Sequence, residues 1–144
     1  MSARSKSRKR AVDILFVADL REQPISVMLD EEASRAAAAP QRESSWAYAR
    51  EIVEGVDAHL HELDAAIIAH AQGWTLDRMP VLDRTIARVG AWEILYNDEV
   101  PDGVAISEAV ESATVLSTED SAGFLNGLLG AIARDKDAIP RELA

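Results

Sequence analysis

The sequence of 144 residues contains no cysteine, which excludes disulfide frameworks, thiolate metal sites and cysteine nucleophiles. It has only seven glycines, and neither a GxGxxG nor a GxxxxGK(S/T) spacing occurs among them, so the phosphate loops of nucleotide-binding folds are excluded. No apolar run approaches the roughly 20 residues that span a bilayer, and no secretory signal opens the chain. We therefore expect a single soluble domain over residues 1–144, located in the cytoplasm.

Groups suited to catalysis are also scarce. Only His59, His61 and His70 are of a type that titrates near neutral pH. The segment that begins His61-Glu62 resembles the start of a zinc-protease helix, but Ala65 stands where the second histidine ligand is needed. No serine lies in a G-x-S-x-G turn. We therefore expect no catalytic residue, no metal site and no cofactor.

What the sequence has is a sharp division of charge. Its net charge is −10, yet residues 1–10 contain five cations and no acid. These cations are Arg4, Lys6, Arg8, Lys9 and Arg10. Residues 11–144 carry the other ten basic side chains and all 25 acidic ones. A basic arm of this kind suits phosphate, whereas the acidic remainder suits a basic protein surface; the alternative for the arm is a merely solvated tail.

Apolar residues recur at helical spacing along most of the chain, and no alternating strand pattern or internal repeat appears. The spacing predicts helices over about 8–21, 27–39, 46–59, 62–71, 80–97 and 104–116, with a last helix that begins at Ser117 or Thr118. A short tail follows from about residue 135. Ser26 is the expected cap of the second helix, and Ser44 or Ser45 that of the third. Six or seven helices joined by short turns predict an all-α bundle.

A first helix that begins near Arg8 carries Arg8, Lys9 and Arg10 in its first turn, where cations oppose the helix dipole. That unfavourable placement is easier to understand if an anionic ligand offsets it, which favours phosphate binding over a solvated tail.

The aromatic residues divide into two groups. Phe16, Trp46, Trp92 and Tyr96 lie on or beside apolar stripes, so we expect them in the core. Phe124 differs, because Gly123 precedes it and Asn126-Gly127 follows it, which leaves its surroundings sparsely covered. An uncovered aromatic near the start of a helix is a candidate platform for stacking of nucleic-acid bases.

Four stretches together resemble the NusB family of transcription antitermination factors. The basic arm is followed by AVDILF at 11–16, which is similar to the family's N-terminal sequence of basic residues, Ala-Val and Leu-Tyr. The stretch 83–94, DRTIARVGAWEI, resembles its acidic, Ile-Leu-Arg, Glu-Leu helix. VP at 100–101 with VAISEAVE at 104–111 resembles its V-P, V-x-I-N-E-A-V-E segment, and FLNGLL at 124–129 its F-V-N-G-V-L.

This resemblance implies two packed three-helix bundles and a role without catalysis. The implied function is binding of the boxA element of ribosomal-RNA leader transcripts jointly with NusE, the small ribosomal-subunit protein. The resulting complex joins NusA, NusG and RNA polymerase to suppress premature termination. Some family members form homodimers, and the sequence leaves that possibility open.

The resemblance also assigns residues to each partner. The RNA contacts that it implies are Arg4, Lys6, Arg8, Lys9, Arg10, Asp120 and Phe124. The NusE contacts that it implies are Phe16, Leu20, Asp77, Val81 and Asp83. Among the latter, Asp77 and Asp83 are expected partners for basic side chains of NusE.

Two alternatives stay open at this point. The chain could be an acidic helical scaffold that binds proteins only, with an incidental basic head. It could also be an enzyme-linked module, since NusB-like domains precede RNA cytosine methyltransferases, although no nucleotide or methyl-donor loop follows in this sequence.

Overall fold

The computed structural model describes residues 2–39 and 43–141, and these ranges contain helices and no strand. Seven α-helices follow one another: α1 Ala3–Leu20, α2 Ile25–Ala37, α3 Glu43–Ala58, α4 Leu60–His70, α5 Val81–Tyr96, α6 Asp102–Leu116 and α7 Glu119–Arg134. Short 3₁₀-helices occupy Leu76–Arg78 and Lys136–Ala138. The expectation of an all-α fold with six to seven helices is confirmed. None of the helices in these ranges has the length and apolar character that crossing a membrane requires.

The chain divides into two compact units, Met1–Ala58 and His59–Ala144. The first unit contains the three helices α1 to α3, and the second contains the four helices α4 to α7. The predicted boundary between a helix over about 46–59 and one over about 62–71 is confirmed, because α3 ends at Ala58 and α4 begins at Leu60.

In the first unit, α1 packs mainly against α3, and α2 contacts both. The buried apolar residues of α1 and α3 recur at gaps of three and four, as a helix face in a core requires. They include Ala11, Leu15 and Ala18 from α1, and Ala49, Ile52, Val53 and Val56 from α3. By contrast, α2 buries only Met28, because its alanine run offers little apolar surface.

The first helix begins earlier than the sequence pattern predicts. It starts at Ala3 rather than near Arg8, and the Oγ atom of Ser2 accepts a hydrogen bond from the Ser5 backbone N–H at 3.1 Å. This N-cap satisfies a donor that the first turn otherwise leaves unpaired. Residues 4–10 are therefore part of a helix, and of their five cations only Arg4 lies in the first turn. The prediction that Arg8, Lys9 and Arg10 oppose the helix dipole in the first turn is wrong.

Two of the expected helix caps are wrong. Ser26 lies inside α2, whose N-cap is Pro24, a residue with no side-chain acceptor. Ser44 and Ser45 lie inside α3, which begins at Glu43. Thr118, one of the two expected starts of the last helix, does cap α7: its Oγ1 atom accepts a hydrogen bond from the Ser121 backbone N–H at 3.1 Å.

The core of the second unit is built around α5, which contacts α4, α6 and α7. Eleven of its 16 residues are buried, including the fully enclosed Ile86 and Ile94. The apolar face of α7 supplies Leu125, Leu129 and Ile132, each 0% exposed. Because α5 has neighbours on several sides, its burial extends beyond the single stripe that the sequence predicts.

The close approach of α5 and α7 depends on Gly90. A Cβ atom built on this residue would lie 2.7 Å from Cδ1 of Leu129, which is enclosed in the core. We expect Gly90→Ala to lower the free energy of unfolding by about 1 to 2 kcal/mol, because the leucine must leave its packed position. Urea unfolding measures this change.

Gly103→Ala is the matched control, since a Cβ atom there meets nothing within 4 Å. Alanine favours a helix by up to about 1 kcal/mol over glycine, so the control should be as stable as the wild type or more so. Equal stability of Gly90→Ala and Gly103→Ala would show that the contact with Leu129 is not limiting.

Candidate nucleic-acid interface

The cations Arg4, Lys6, Arg8, Lys9 and Arg10, here called the basic face, all lie on α1. Two of the arginines stack on one aromatic ring of α3. The Cζ atom of Arg4 lies 4.5 Å from the ring centroid of Tyr48, and that of Arg8 lies 5.8 Å from the same point. A guanidinium that stacks by its plane keeps its N–H groups at the edges of that plane. Tyr48 therefore restricts the positions of two of the five cations.

The third arginine is held in a similar way. The Cζ atom of Arg10 lies 5.1 Å from the ring centroid of Trp46, and its Nη1 atom donates a hydrogen bond to Ser45 Oγ at 3.0 Å. Trp46 is 9% exposed, so its expected place in the core is confirmed. Its additional role as a support for Arg10 was missed, as was Tyr48, because sequence spacing does not pair α1 with α3.

The two lysines of the basic face have different surroundings. Lys6 and Lys9 are both exposed, and Lys9 Nζ lies 3.3 Å from Asp13 Oδ2 one turn along the helix. An exposed pair of this kind contributes little energy, so it does not prevent the lysine from binding a phosphate. Arg8, in contrast, is only 5% exposed. The basic face thus combines arginines braced by α3 with lysines open to solvent.

In the second unit, the first turn of α7 is fixed by a carboxylate from α5. Asp83 is 4% exposed, and its two oxygens accept hydrogen bonds from Ser117 Oγ at 2.8 Å and Ser121 Oγ at 2.7 Å. The Thr118 Oγ1 atom, which accepts the Ser121 backbone N–H, also lies 2.9 Å from Ser121 Oγ. We call Asp83, Ser117, Thr118 and Ser121 the serine–aspartate cluster. It sets the position of the helix start that carries Asp120 and Phe124.

Three residues that the family resemblance assigns to two different partners line one cleft. Asp83, Asp120 and Phe124 all border a cavity of about 270 Å³ in the second unit, together with Trp74 and the serine–aspartate cluster residues Thr118 and Ser121. Asp120 is exposed and Phe124 is half-buried. The structure therefore brings together the α7 residues expected at RNA and one aspartate expected at NusE.

Trp74 is a residue that sequence reasoning missed. It is 52% exposed and packs edge-to-face against Phe124, with ring centroids 6.2 Å apart and an angle of 62° between the planes. It follows Gly73, whose φ of +92° turns the chain after α4. A tryptophan between a glycine turn and a 3₁₀-helix, outside every apolar stripe, was the available signal.

The residues expected at NusE differ in exposure. Leu20 is 59% exposed and Asp77 is exposed, whereas Phe16 and Val81 are half-buried. Phe16 therefore departs from its expected place in the core. Asp83 is buried, and its two oxygens already accept hydrogen bonds from two hydroxyls, so little of its carboxylate is accessible to a partner. Asp77 is exposed and offers its carboxylate directly.

Comparisons of the sequence with known proteins identify the family to which it is similar. The model of the NusB family matches residues 5–134. A transcription antitermination protein NusB from Leifsonia xyli subsp. xyli is 63% identical over 136 residues, which cover 94% of each chain. A protein of the same name from Clavibacter sepedonicus is 57% identical over 133 residues, covering 92% of this chain and 97% of its own.

Solved structures show the same architecture. NusB from T. maritima has a TM-score of 0.79 and 28% identity to this chain, covering 97% of it and 95% of its own length. A chain in the crystal structure of antitermination factors NusB and NusE in complex with dsRNA has a TM-score of 0.79 and 24% identity, covering 93% and 98%. The second similarity concerns the fold alone.

Proposed function

Because the chain belongs to the NusB family of transcription antitermination proteins, we propose that it binds the boxA element of ribosomal-RNA leader transcripts jointly with NusE. The bound complex joins NusA, NusG and RNA polymerase in the cytoplasm and suppresses premature termination. A transcription antitermination factor is not an enzyme, so the methyltransferase-linked alternative no longer applies. The solved complex of NusB and NusE with dsRNA supports both partners.

The observation that carries the RNA side of this proposal is the basic face braced by α3. Flexible cations lose conformational entropy when they bind a phosphate chain, at about 1.5 to 2 kcal/mol for a fully ordered arginine or lysine side chain. Stacking on Tyr48 and Trp46 restricts Arg4, Arg8 and Arg10 in advance. The arrangement therefore lowers the entropy loss of binding and keeps the charges on one helix.

The NusE side is supported by exposure and charge. Leu20 exposes 59% of its surface, which suits the apolar anchor of a protein interface. Asp77 is exposed in the 3₁₀-helix, and most of the chain outside the basic face carries excess negative charge. These features favour a partner with a basic surface, because complementary charge speeds encounter and fixes orientation.

The experiment that tests the proposal is a titration of the chain with boxA RNA, with and without NusE, at several salt concentrations. Each cation engaged on single-stranded RNA contributes about −0.7 to the slope of log K against log salt. Arg8 is only 5% exposed, so the other four cations of the basic face give a slope of about −2.8. We expect this slope and a higher affinity in the presence of NusE. Retention of NusE without any contribution from RNA would instead favour the acidic scaffold that binds proteins only.

A further inference from the structure

A second cavity of about 360 Å³ lies beside the Trp74–Phe124 pair and has no assigned role. It is bordered by these two rings, by Gly123 and Gly127 of α7, and by His70 and Arg134. We call these six residues the aromatic cleft. All of them belong to the second unit, and the cleft shares Trp74 and Phe124 with the cavity that contains Asp120.

The exposure of Trp74 is the first argument for a ligand. The other two tryptophans, Trp46 and Trp92, are 9% and 5% exposed, whereas Trp74 is 52% exposed. Leaving so large an apolar ring in water forgoes about 25 cal/mol of stabilisation for each Å² that stays uncovered. The edge-to-face contact with Phe124 uses at most one face of Trp74, so at least one face of this ring is not used by the pair. A planar group can stack there.

The wall formed by α7 is open enough to admit such a group. Gly123 and Gly127 lie one helical turn apart, and a Cβ atom built on either meets nothing within 4 Å. A ligand can therefore approach the α7 backbone closely at the point where Phe124 projects.

The charges at the cleft indicate what kind of planar group it takes. Arg134 is exposed in the last turn of α7 and forms no ion pair within residues 2–39 and 43–141. The other side chain is His70. Its Nδ1 atom lies 2.7 Å from Ala66 O, and its Nε2 atom lies 2.8 Å from Asp135 Oδ2. An aromatic surface with an arginine beside it suits a nucleotide, whose base stacks and whose phosphate pairs with the guanidinium.

We propose that the aromatic cleft is a second RNA subsite, in which a base stacks on Trp74 and Arg134 binds the adjoining phosphate. The inference rests on the proposed function, because Phe124 borders the aromatic cleft and is also one of the residues expected to contact RNA. It adds Trp74 and Arg134 to the residues that hold a single-stranded transcript.

Tryptophan fluorescence provides a direct test, since Trp74 is the exposed one of the three tryptophans. Adding boxA RNA to the wild-type chain should quench the emission. Trp74→Phe should lose most of this quenching and keep most of the affinity, because phenylalanine still stacks. Trp74→Ala should bind the same RNA about ten-fold more weakly, as loss of one stacked base predicts.

Gly127→Leu tests the cleft without removing an aromatic ring. Leucine favours a helix and would occupy the open space beside Phe124, so binding should again weaken about ten-fold. Arg134→Gln should make the salt slope less steep by about 0.7. Val115→Ala is the control, because Val115 is 69% exposed and does not border the cleft, and its RNA affinity should equal that of the wild type.

Each result decides the matter. If the wild type binds no boxA RNA with or without NusE, the proposed function and the second subsite both fail. If it binds, but Trp74→Ala and Gly127→Leu bind equally well and RNA causes no quenching, only the second subsite fails. If the two variants lose NusE in a pull-down without RNA and keep their own RNA affinity, the cleft binds protein, which also overturns the inference.

Discussion

Replacing all five cations of the basic face with glutamine is expected to remove nearly all the salt dependence that α1 gives to RNA binding. With a slope of about −2.8, the wild type loses about fifty-fold in affinity between about 50 mM and about 200 mM salt. Between the same two salt concentrations, the variant should lose much less affinity than the wild type does. At the lower salt concentration, its affinity should be below that of the wild type by at least the factor that the wild type loses between the two salts. Fluorescence anisotropy with labelled boxA RNA at both salt concentrations measures the two quantities.

Arg35→Gln is the matched control for this prediction. Arg35 is an exposed cation of the same unit that lies on α2, outside the basic face, so its removal should leave affinity and slope unchanged. Circular dichroism should show at most a small loss of helix in the five-fold variant, since glutamine is a good helix former although the contacts of Arg4 and Arg8 with Tyr48 are lost. An unchanged salt slope in that variant would mean that the basic face does not bind the RNA.

A second variant separates the effect of the positive charges from the effect of the contacts between the arginines and the aromatic rings of α3. Changing Arg4, Arg8 and Arg10 to lysine keeps all five charges but loses the planar stacking on Tyr48 and Trp46. The salt slope should stay near that of the wild type while the affinity falls several-fold, because the cations then lose more freedom on binding.

Most of the fold could be predicted from the sequence, since apolar spacing marks α3 to α7 along nearly their whole length. The start of α1 could not, because its first residues carry charge and no apolar period. What holds that segment in a helix is the Ser2 cap together with the stacking of Arg4 and Arg8 on a ring 40 or more residues away. Periodicity within one helix contains no information about such a contact.

The candidate site shows the same division. Charge counting finds the basic face, and the glycines around Phe124 indicate its partial exposure. Trp74, Tyr48 and the hydroxyl partners of Asp83 were missed, because each depends on which helices pack together. Ser117 and Ser121 lie 34 and 38 residues from Asp83 in the sequence. From the sequence alone, an aspartate near the start of an amphipathic helix is as typical of an exposed acid as of a buried one.

Asp83→Ala is expected to lower the free energy of unfolding by about 2 to 4 kcal/mol. The substitution removes two hydrogen bonds to a charged acceptor and leaves Ser121, itself 6% exposed, without its carboxylate partner. A hydrogen bond to a charged group contributes about 1.5 to 3 kcal/mol. Ser121 Oγ keeps Thr118 Oγ1 as a partner at 2.9 Å, so the expected loss comes from the two bonds to the carboxylate. Urea unfolding followed by circular dichroism measures the loss.

Asp77→Ala is the control, because Asp77 is an exposed acid of the same unit, and its removal should change stability by less than about 0.5 kcal/mol. Asp83→Asn should fall between the two, since the amide keeps an acceptor but carries no charge. If NusE contacts Asp77 directly, Asp77→Ala should weaken NusE binding without lowering stability. If Asp83 positions α7, Asp83→Ala should lower stability and also weaken RNA binding, because Asp120 and Phe124 are then displaced. An Asp83→Ala variant of wild-type stability that loses NusE alone would instead assign this carboxylate to the partner.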